Sequence, residues 1–395
     1  MVATAVLATL LVAGLASLFM AWAIGAGSSG STPFAPAVGA NAISIMRAGF
    51  LVGILGLLGA ILQGGNVTAA VGTELVDGGA LTAPAATIAL LVAASLVAIG
   101  IFTGYPIATA FTVTGAVVGV GLAAGGGPAW SKYGEIAILW VGTPFVGGGI
   151  AYATARLLRS DRVHVTRSLP LLGGVVGLVL ANVQFVFFAP GDGQASLAAA
   201  AVRVLGGGPL TYFATSLLLA VALAAVLARQ TVRDAPRAQR RFLLALGGLV
   251  AFSAGGSQVG LALGPLVPLL SDFEIPLVAL LLGGGLGLLV GSWTGAPRMI
   301  KAISQDYSAL GPSRSIAALI PSFALAQTAV FFGIPVSFNE IIISSIVGSG
   351  FAATGDGGEV SGGKIGYTIL AWVASLVGAF TVSYGLFALV DALLL

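Results

Sequence analysis

Long apolar runs separated by short polar stretches dominate the chain. A helix needs about 20 apolar residues to cross the ~30 Å hydrocarbon layer of a bilayer. Runs of that kind lie near 2–24, 48–64, 84–104, 106–124, 135–157, 168–189, 208–228, 242–268, 275–296, 315–333, 335–354 and 365–391. The pattern predicts an all-α polytopic membrane protein with twelve spans. The second run is short, and the first continues into a polar stretch, Gly25 to Thr32, that a simple helix would not carry into lipid. The first run lacks a basic leader region and reads as a membrane helix rather than a cleaved signal.

Composition agrees. Charged residues make up 7% of the chain and mean hydropathy is +1.08, against about 25% charge in a soluble domain. The 59 glycines follow no collagen-like period and suit close packing between membrane helices. There are no cysteines and one histidine, His164, so disulfides, thiolate nucleophiles and histidine metal sites are excluded. The net charge of +3 is spread over segregated arginines and forms no nucleic-acid footprint. With the N-terminus outside, the inner loops hold Arg47, Arg156, Arg159, Arg162, Arg167, Arg229, Arg233, Arg237, Arg240, Arg241, Arg298, Lys301, Arg314 and Lys364, which is 14 of the 16 basic residues. Only Lys132 and Arg203 fall outside, so both termini are expected to be extracytoplasmic in the cell membrane.

An internal repeat divides the chain. Ala21-Trp-Ala-Ile-Gly25-Ala-Gly-Ser-Ser-Gly30 aligns with Ala251-Phe-Ser-Ala-Gly255-Gly-Ser-Gln-Val-Gly260, at an offset of 230. Gly104-Tyr-Pro106 aligns with Gly333-Ile-Pro335 at 229, and Val118-Gly119, Gly121 and Ala123-Ala124 stay in step with Val347-Gly348, Gly350 and Ala352-Ala353. Seven expected crossings separate the copies, an odd number, so the second copy enters from the opposite side. The expected division is residues 1–157 as the first repeat, 158–230 as a connecting helix pair and 231–395 as the inverted second repeat.

Each copy is expected to carry a Gly/Ser break inside a span and a proline break between two spans. Such breaks free backbone groups that lipid cannot satisfy, so they must face protein or a watery cavity. Half-helix N-termini suit an anion. The polar residues at the breaks are the candidate ligands: Ser28, Ser29, Ser31, Thr109, Ser257, Gln258, Ser337 and Asn339. Glu340 is an acidic residue within an apolar span, five residues past Pro335, and is a candidate proton carrier; a capping carboxylate at a broken helix end is the alternative. For any single glycine a packing contact is the simpler reading; the pairing of breaks in both halves favours a site.

With those motifs the chain resembles the inorganic phosphate transporter family over nearly its whole length. That family has a G-A-N-D-x-A-N-A stretch in each half, a later P-x-S-T-T-H-type stretch, and G-G-N-x-T after the second helix. Here Gly64-Gly65-Asn66-Val67-Thr68 is intact, and Pro106-Ile-Ala-Thr109-Ala-Phe111 and Pro335-Val-Ser337-Phe-Asn339-Glu340 stand at the later stretches. The G-A-N-D stretches become Gly25-Ala-Gly-Ser28-Ser-Gly-Ser31 and Gly255-Gly-Ser257-Gln258-Val-Gly, so both aspartates of the motif are absent. Neutral oxygens in their place weaken the case for sodium and leave a proton as the simpler coupling ion. They also suit sulfate, which only accepts hydrogen bonds, over monohydrogen phosphate, which also donates one. The resemblance therefore implies a symporter of an inorganic oxyanion, with sulfate ahead of phosphate, similar to the family's sulfate permease branch, and a homodimer.

Other features carry less. Gly358 to Lys364 matches a phosphate-binding loop, but Ile365 stands where such loops need Ser or Thr. The arginine clusters read first as topology determinants, with lipid head-group binding second. Asn66 either orients a loop near the entrance or caps a turn. An enzyme would need a nucleophile and base that the chain does not offer. An anion channel is the remaining alternative to a transporter, and no cofactor is expected.

Overall fold

The computed structural model describes residues 2–78, 81–160, 164–189, 193–270, 275–352 and 360–394, with side chains from 8 to 393 within them except that of Leu270. Arg162, Ala353 and Gly358 lie outside the described residues. The first copy comprises α1 (Val2–Gly27), α2 (Ala35–Gly39), α3 (Ile45–Gln63), α4 (Gly65–Thr73), β1 (Val76–Asp77), α5 (Ala83–Thr103), α6 (Thr109–Ala123), β2 (Gly127–Pro128) and α7 (Trp130–Leu158). A connector follows: α8 (Val165–Asn182), β3 (Gln184–Phe185), β4 (Ala195–Ser196), α9 (Leu197–Leu205) and α10 (Gly208–Arg233). The second copy comprises α11 (Ala235–Leu263), α12 (Val267–Leu270), α13 (Leu277–Thr294), α14 (Ala296–Asp306), α15 (Pro312–Phe332), α16 (Phe338–Phe351) and α17 (Gly362–Leu394).

Among the described residues ten helices are long and apolar enough to cross a membrane, not twelve. The expected spans at 106–124 and 335–354 are the short helices α6 and α16, of 15 and 14 residues. At 1.5 Å per residue they reach about 22 Å, less than a bilayer core. Each is instead the return arm of a hairpin. Strand β1, just before α5, pairs with β2, just after α6, through Val76 opposite Pro128 and Asp77 opposite Gly127. The hairpin therefore enters and leaves on one side. A bridge between Ser308 and Val360 closes the base of the α15–α16 hairpin in the same way. The turns are built alike. Gly104 (φ 77°) and Gly333 (φ 62°) end α5 and α15 in the left-handed conformation that only glycine adopts without strain. Pro106 and Pro335 follow two residues later and prevent the helix from resuming.

The direction of each copy can be read from backbone contacts at glycine. Gly287 lies against Ala21, Gly291 against the Trp22 carbonyl and Gly295 against Ala26, so α1 and α13 run parallel. Gly248 lies against Leu55, Gly59 against the Phe252 carbonyl and Gly256 against Gln63, so α3 and α11 run parallel. Gly49 meets Ser292, Gly53 meets Leu289 and Gly285 meets Leu57, so α3 and α13 run antiparallel. The equivalent helices α1 and α11, and α3 and α13, therefore point in opposite directions. This is an inverted-topology repeat. With the hairpins set aside, five crossings (α1, α3, α7, α8 and α10) separate the copies instead of seven, and five is also odd.

One expected break is absent. Helix α1 does end at Gly27, and the chain then turns back on itself with Ser31 and Thr32 amides on the Ser28 carbonyl. Helix α11, in contrast, continues through Gly255–Gly260 to Leu263. Its glycines keep the helical ladder and serve close approach: a methyl on Gly255 would overlap the Gly56 carbonyl, and one on Gly260 would meet Val67 and Thr68.

The last helix of each copy packs on the other copy. Helix α7 lies along α15 and α16, and α17 lies along α5 and α6. Trp140 of α7 donates its indole N–H to the Pro335 carbonyl at 2.8 Å, and Trp372 of α17 donates to the Pro106 carbonyl at 2.8 Å. Each hairpin tip is thus held by a tryptophan of the opposite half.

Candidate anion site

The two hairpin tips meet in the protein interior. Asn339, in the first turn of α16, donates its amide Nδ2 to the Ile107 carbonyl at the other tip (2.6 Å) and to the Gly27 carbonyl at the end of α1 (3.0 Å). Gln258 of α11 donates Nε2 to the Val336 carbonyl at 2.5 Å. Its Oε1 accepts from Thr109 (2.7 Å) and Ser28 (3.2 Å). Four of the expected ligands, Ser28, Thr109, Gln258 and Asn339, therefore join α1, α6, α11 and α16 in one buried network.

These bonds also decide which atoms stay available. The Gly27 and Ile107 carbonyls take both N–H groups of Asn339, which leaves neither for an anion, whereas the Val336 carbonyl takes one of the two on Gln258. Ser29 and Ser31 are turned inward on their own segment, toward the Ile24 and Ser28 carbonyls, and close the turn after α1. Ser257 and Ser337 are fully buried, and their hydroxyls have no partner. Asn339 Oδ1 and Glu340 Oε2 are buried acceptors without a partner. A buried polar group left unpaired costs about 1–3 kcal/mol, so each of these four would gain from a ligand partner.

The first turns of α6 and α16 stay open. Ala108 caps α6 with no side chain able to reach its amides. Ser337-Phe-Asn-Glu340 has the sequence of a capping box, yet no side-chain cap forms. First-turn N–H groups have no partner within the helix, and each helix start carries roughly half a positive charge. Glu340 is 2% exposed and lines an apolar cavity of about 650 Å³ together with Phe111, Trp140 and Trp372. Phe111 stacks on Trp140 at 3.9 Å and meets Trp372 edge-on at 6.4 Å. The two tryptophans belong to the site's frame; the signal for them in the sequence is their recurrence in the final span of each copy, 232 residues apart. Asn66 lies elsewhere and donates to Gln184 Oε1 and to the Val330 carbonyl, both at 3.3 Å. Among the described residues no group of three His, Cys, Asp or Glu side chains could hold a metal.

Comparison with known proteins matches this architecture. The chain is similar to the "Putative phosphate permease" of Pyrococcus furiosus, with 26% identity over 366 residues covering 87% of each protein. It is similar to "Inorganic phosphate transporter 2-1, chloroplastic" of Arabidopsis thaliana, at 25% identity over 86% of this chain and 65% of that protein. The solved structure titled "The sodium-dependent phosphate transporter" shares the fold, with a TM-score of 0.80 at 21% identity over 98% of this chain and 100% of that one. None of these matches supports the sulfate branch expected from the altered motifs, and none is named as an enzyme. The model of the phosphate transporter family matches residues 24–383, and the chain belongs to that family.

Proposed function

We propose that the protein is a secondary transporter of inorganic phosphate, bound between the tips of the two hairpins. The observation that carries this reading is the unpaired Asn339 Oδ1 beside two open helix starts. The open N–H groups and the Ser257 and Ser337 hydroxyls suit the oxygens of a tetrahedral dianion. The Asn339 amide is oriented by its two carbonyl partners, which leaves an acceptor over. Monohydrogen phosphate has a P–O–H group to donate to it; sulfate has none at neutral pH. This outweighs the missing aspartates, which favour sulfate.

The inverted copies supply two related arrangements for alternating access, with residues 1–157 and 231–395 as the repeats and 158–230 as the connector. We place the protein in the cell membrane as a homodimer with both termini extracytoplasmic. Inward movement of a dianion against an inside-negative potential costs about 2.3 kcal/mol per charge per 100 mV, so cations must accompany it. Amide nitrogens already take one lone pair of each carbonyl at the breaks, and the aspartates that would offset a sodium charge are absent. Protons carried by Glu340 are therefore favoured over sodium.

Uptake into proteoliposomes with imposed gradients tests the reading. Phosphate and arsenate, which both carry a proton on oxygen, should compete. Sulfate and monofluorophosphate, which carry none, should compete poorly. Equal competition by all four removes the role given to Asn339 Oδ1. Glu340→Gln should abolish accumulation driven by a pH gradient and leave phosphate exchange intact. A strict sodium requirement in the wild type would overturn proton coupling.

A further inference from the structure

A second cavity, of about 590 Å³, lies among α3, α8, α10, α11 and α15, and none of its lining residues belongs to a hairpin tip. Helices α8 and α10 pack tightly on each other, with Gly173 against Leu227 and Gly177 against Ala220. Where this pair meets α11, a long cleft remains. On α11 the cleft runs from Arg241 to Phe252, about 16 Å at 1.5 Å per residue. Its walls are almost wholly apolar. At one end lie Phe252, Phe323 and Gln327; at the other lie Gln230 and Arg241.

The charge pattern says what fills it. An empty apolar void this large would forfeit the dispersion contacts of its lining, and water would find few polar partners there. The outer face of α10 next to it presents Leu217, Leu218 and Val221 at 57–70% exposure, so hydrocarbon chains lie within reach. Arg241 is exposed at the mouth and forms no ion pair among the described residues. Its neighbours are otherwise committed: Arg240 donates to the Ala42 carbonyl at 2.9 Å, and Arg237 pairs with Asp234 at 3.4 Å. No acidic residue lines the cleft. Arg229 and Arg233, in the last turns of α10, add positive charge at the same end.

We propose that this cleft is a binding site for an anionic diacyl phospholipid, with one acyl chain between α8, α10 and α11 and the phosphate on Arg241. The site is independent of the anion carried at the hairpin tips. Lipid would then add to the contacts that α8 and α10 already make with α7, α11 and α15.

Native mass spectrometry of the full-length protein, titrated with dioleoyl phosphatidylglycerol or dioleoyl phosphatidylcholine, tests this. One phosphatidylglycerol should be retained in preference to phosphatidylcholine. Arg241→Gln should weaken phosphatidylglycerol by roughly fivefold, the effect of one basic residue at an anionic lipid surface, with phosphatidylcholine unaffected; Arg241→Lys should keep the preference. Ala245→Phe, on the cleft wall, should weaken both lipids. Equal retention of the two lipids by the wild type, or no response to Arg241→Gln, would overturn the proposal. So would displacement of phosphatidylglycerol by millimolar inorganic phosphate, which would make the arginine a site for the free anion.

Discussion

Replacing Gln258 with methionine keeps the side-chain length and removes every hydrogen bond the amide makes. Three groups then lose a partner: the Val336 carbonyl, the Thr109 hydroxyl and the Ser28 hydroxyl. Thr109 already lies 3.4 Å from Ser28 Oγ, so those two hydroxyls can pair and one is rescued. About two buried groups are left unpaired, each costing about 1–3 kcal/mol. The variant should therefore lose about 2–6 kcal/mol. The loss falls on the contact between α11 and the tip before α16, so the donors at the start of α16 should also be displaced. Thermal unfolding in detergent, followed by tryptophan fluorescence, should shift down by several degrees. Phosphate binding should weaken at least tenfold, since that corresponds to only about 1.4 kcal/mol. Thr328→Ala, which removes an exposed hydroxyl bonded only within its own helix, is the control. If Gln258→Met matches that control in both stability and phosphate affinity, the amide does not organise the site and the argument fails.

Two further outcomes follow from the pairing of the halves. Trp140→Phe and Trp372→Phe each remove one indole donor from an equivalent hairpin tip, so each should lower stability by about 1 kcal/mol and slow uptake comparably; uptake changed by only one of them would show that the tips are not equivalent. Gly25→Ala and Gly255→Ala place a methyl against the Leu288 and Gly56 carbonyls, which should cost about 1–3 kcal/mol each, whereas Gly14→Ala, with open space around it, should leave the melting temperature unchanged.

Much of this fold is legible in the sequence, for a physical reason. Lipid demands long apolar helices, so the ten long helices stand out as runs, and the paired motifs at Gly104–Pro106 and Gly333–Pro335 mark where both hairpins turn. The return arms are not legible by hydropathy. Residues 106–124 are as apolar as a true span; only the β1–β2 pairing reveals that the chain goes back the way it came. The stretch Gly255–Gly260 reads as a break because glycine both breaks helices and lets them touch, and only the neighbouring Gly56 and Val67 decide between the two. Ser28, Thr109, Gln258 and Asn339 were identifiable as polar residues at breaks. Their division of labour was not. Gln258 finds its partners 149 and 78 positions away, and a sequence cannot show that its nitrogen is already committed to a carbonyl.

The exchange of α7 and α17 between halves has a consequence for biosynthesis. When α7 leaves the ribosome, the hairpin it must clasp does not yet exist. The end of α16 is made about 190 residues later, a delay of ~10–40 s at ordinary elongation rates. Throughout that interval Trp140 lacks its carbonyl, and the first hairpin lacks the tryptophan of α17. The nascent chain must therefore sit in the bilayer with an unclosed groove on α7, and anything that shields such a groove during insertion, whether lipid or an insertase, becomes part of how this transporter is made.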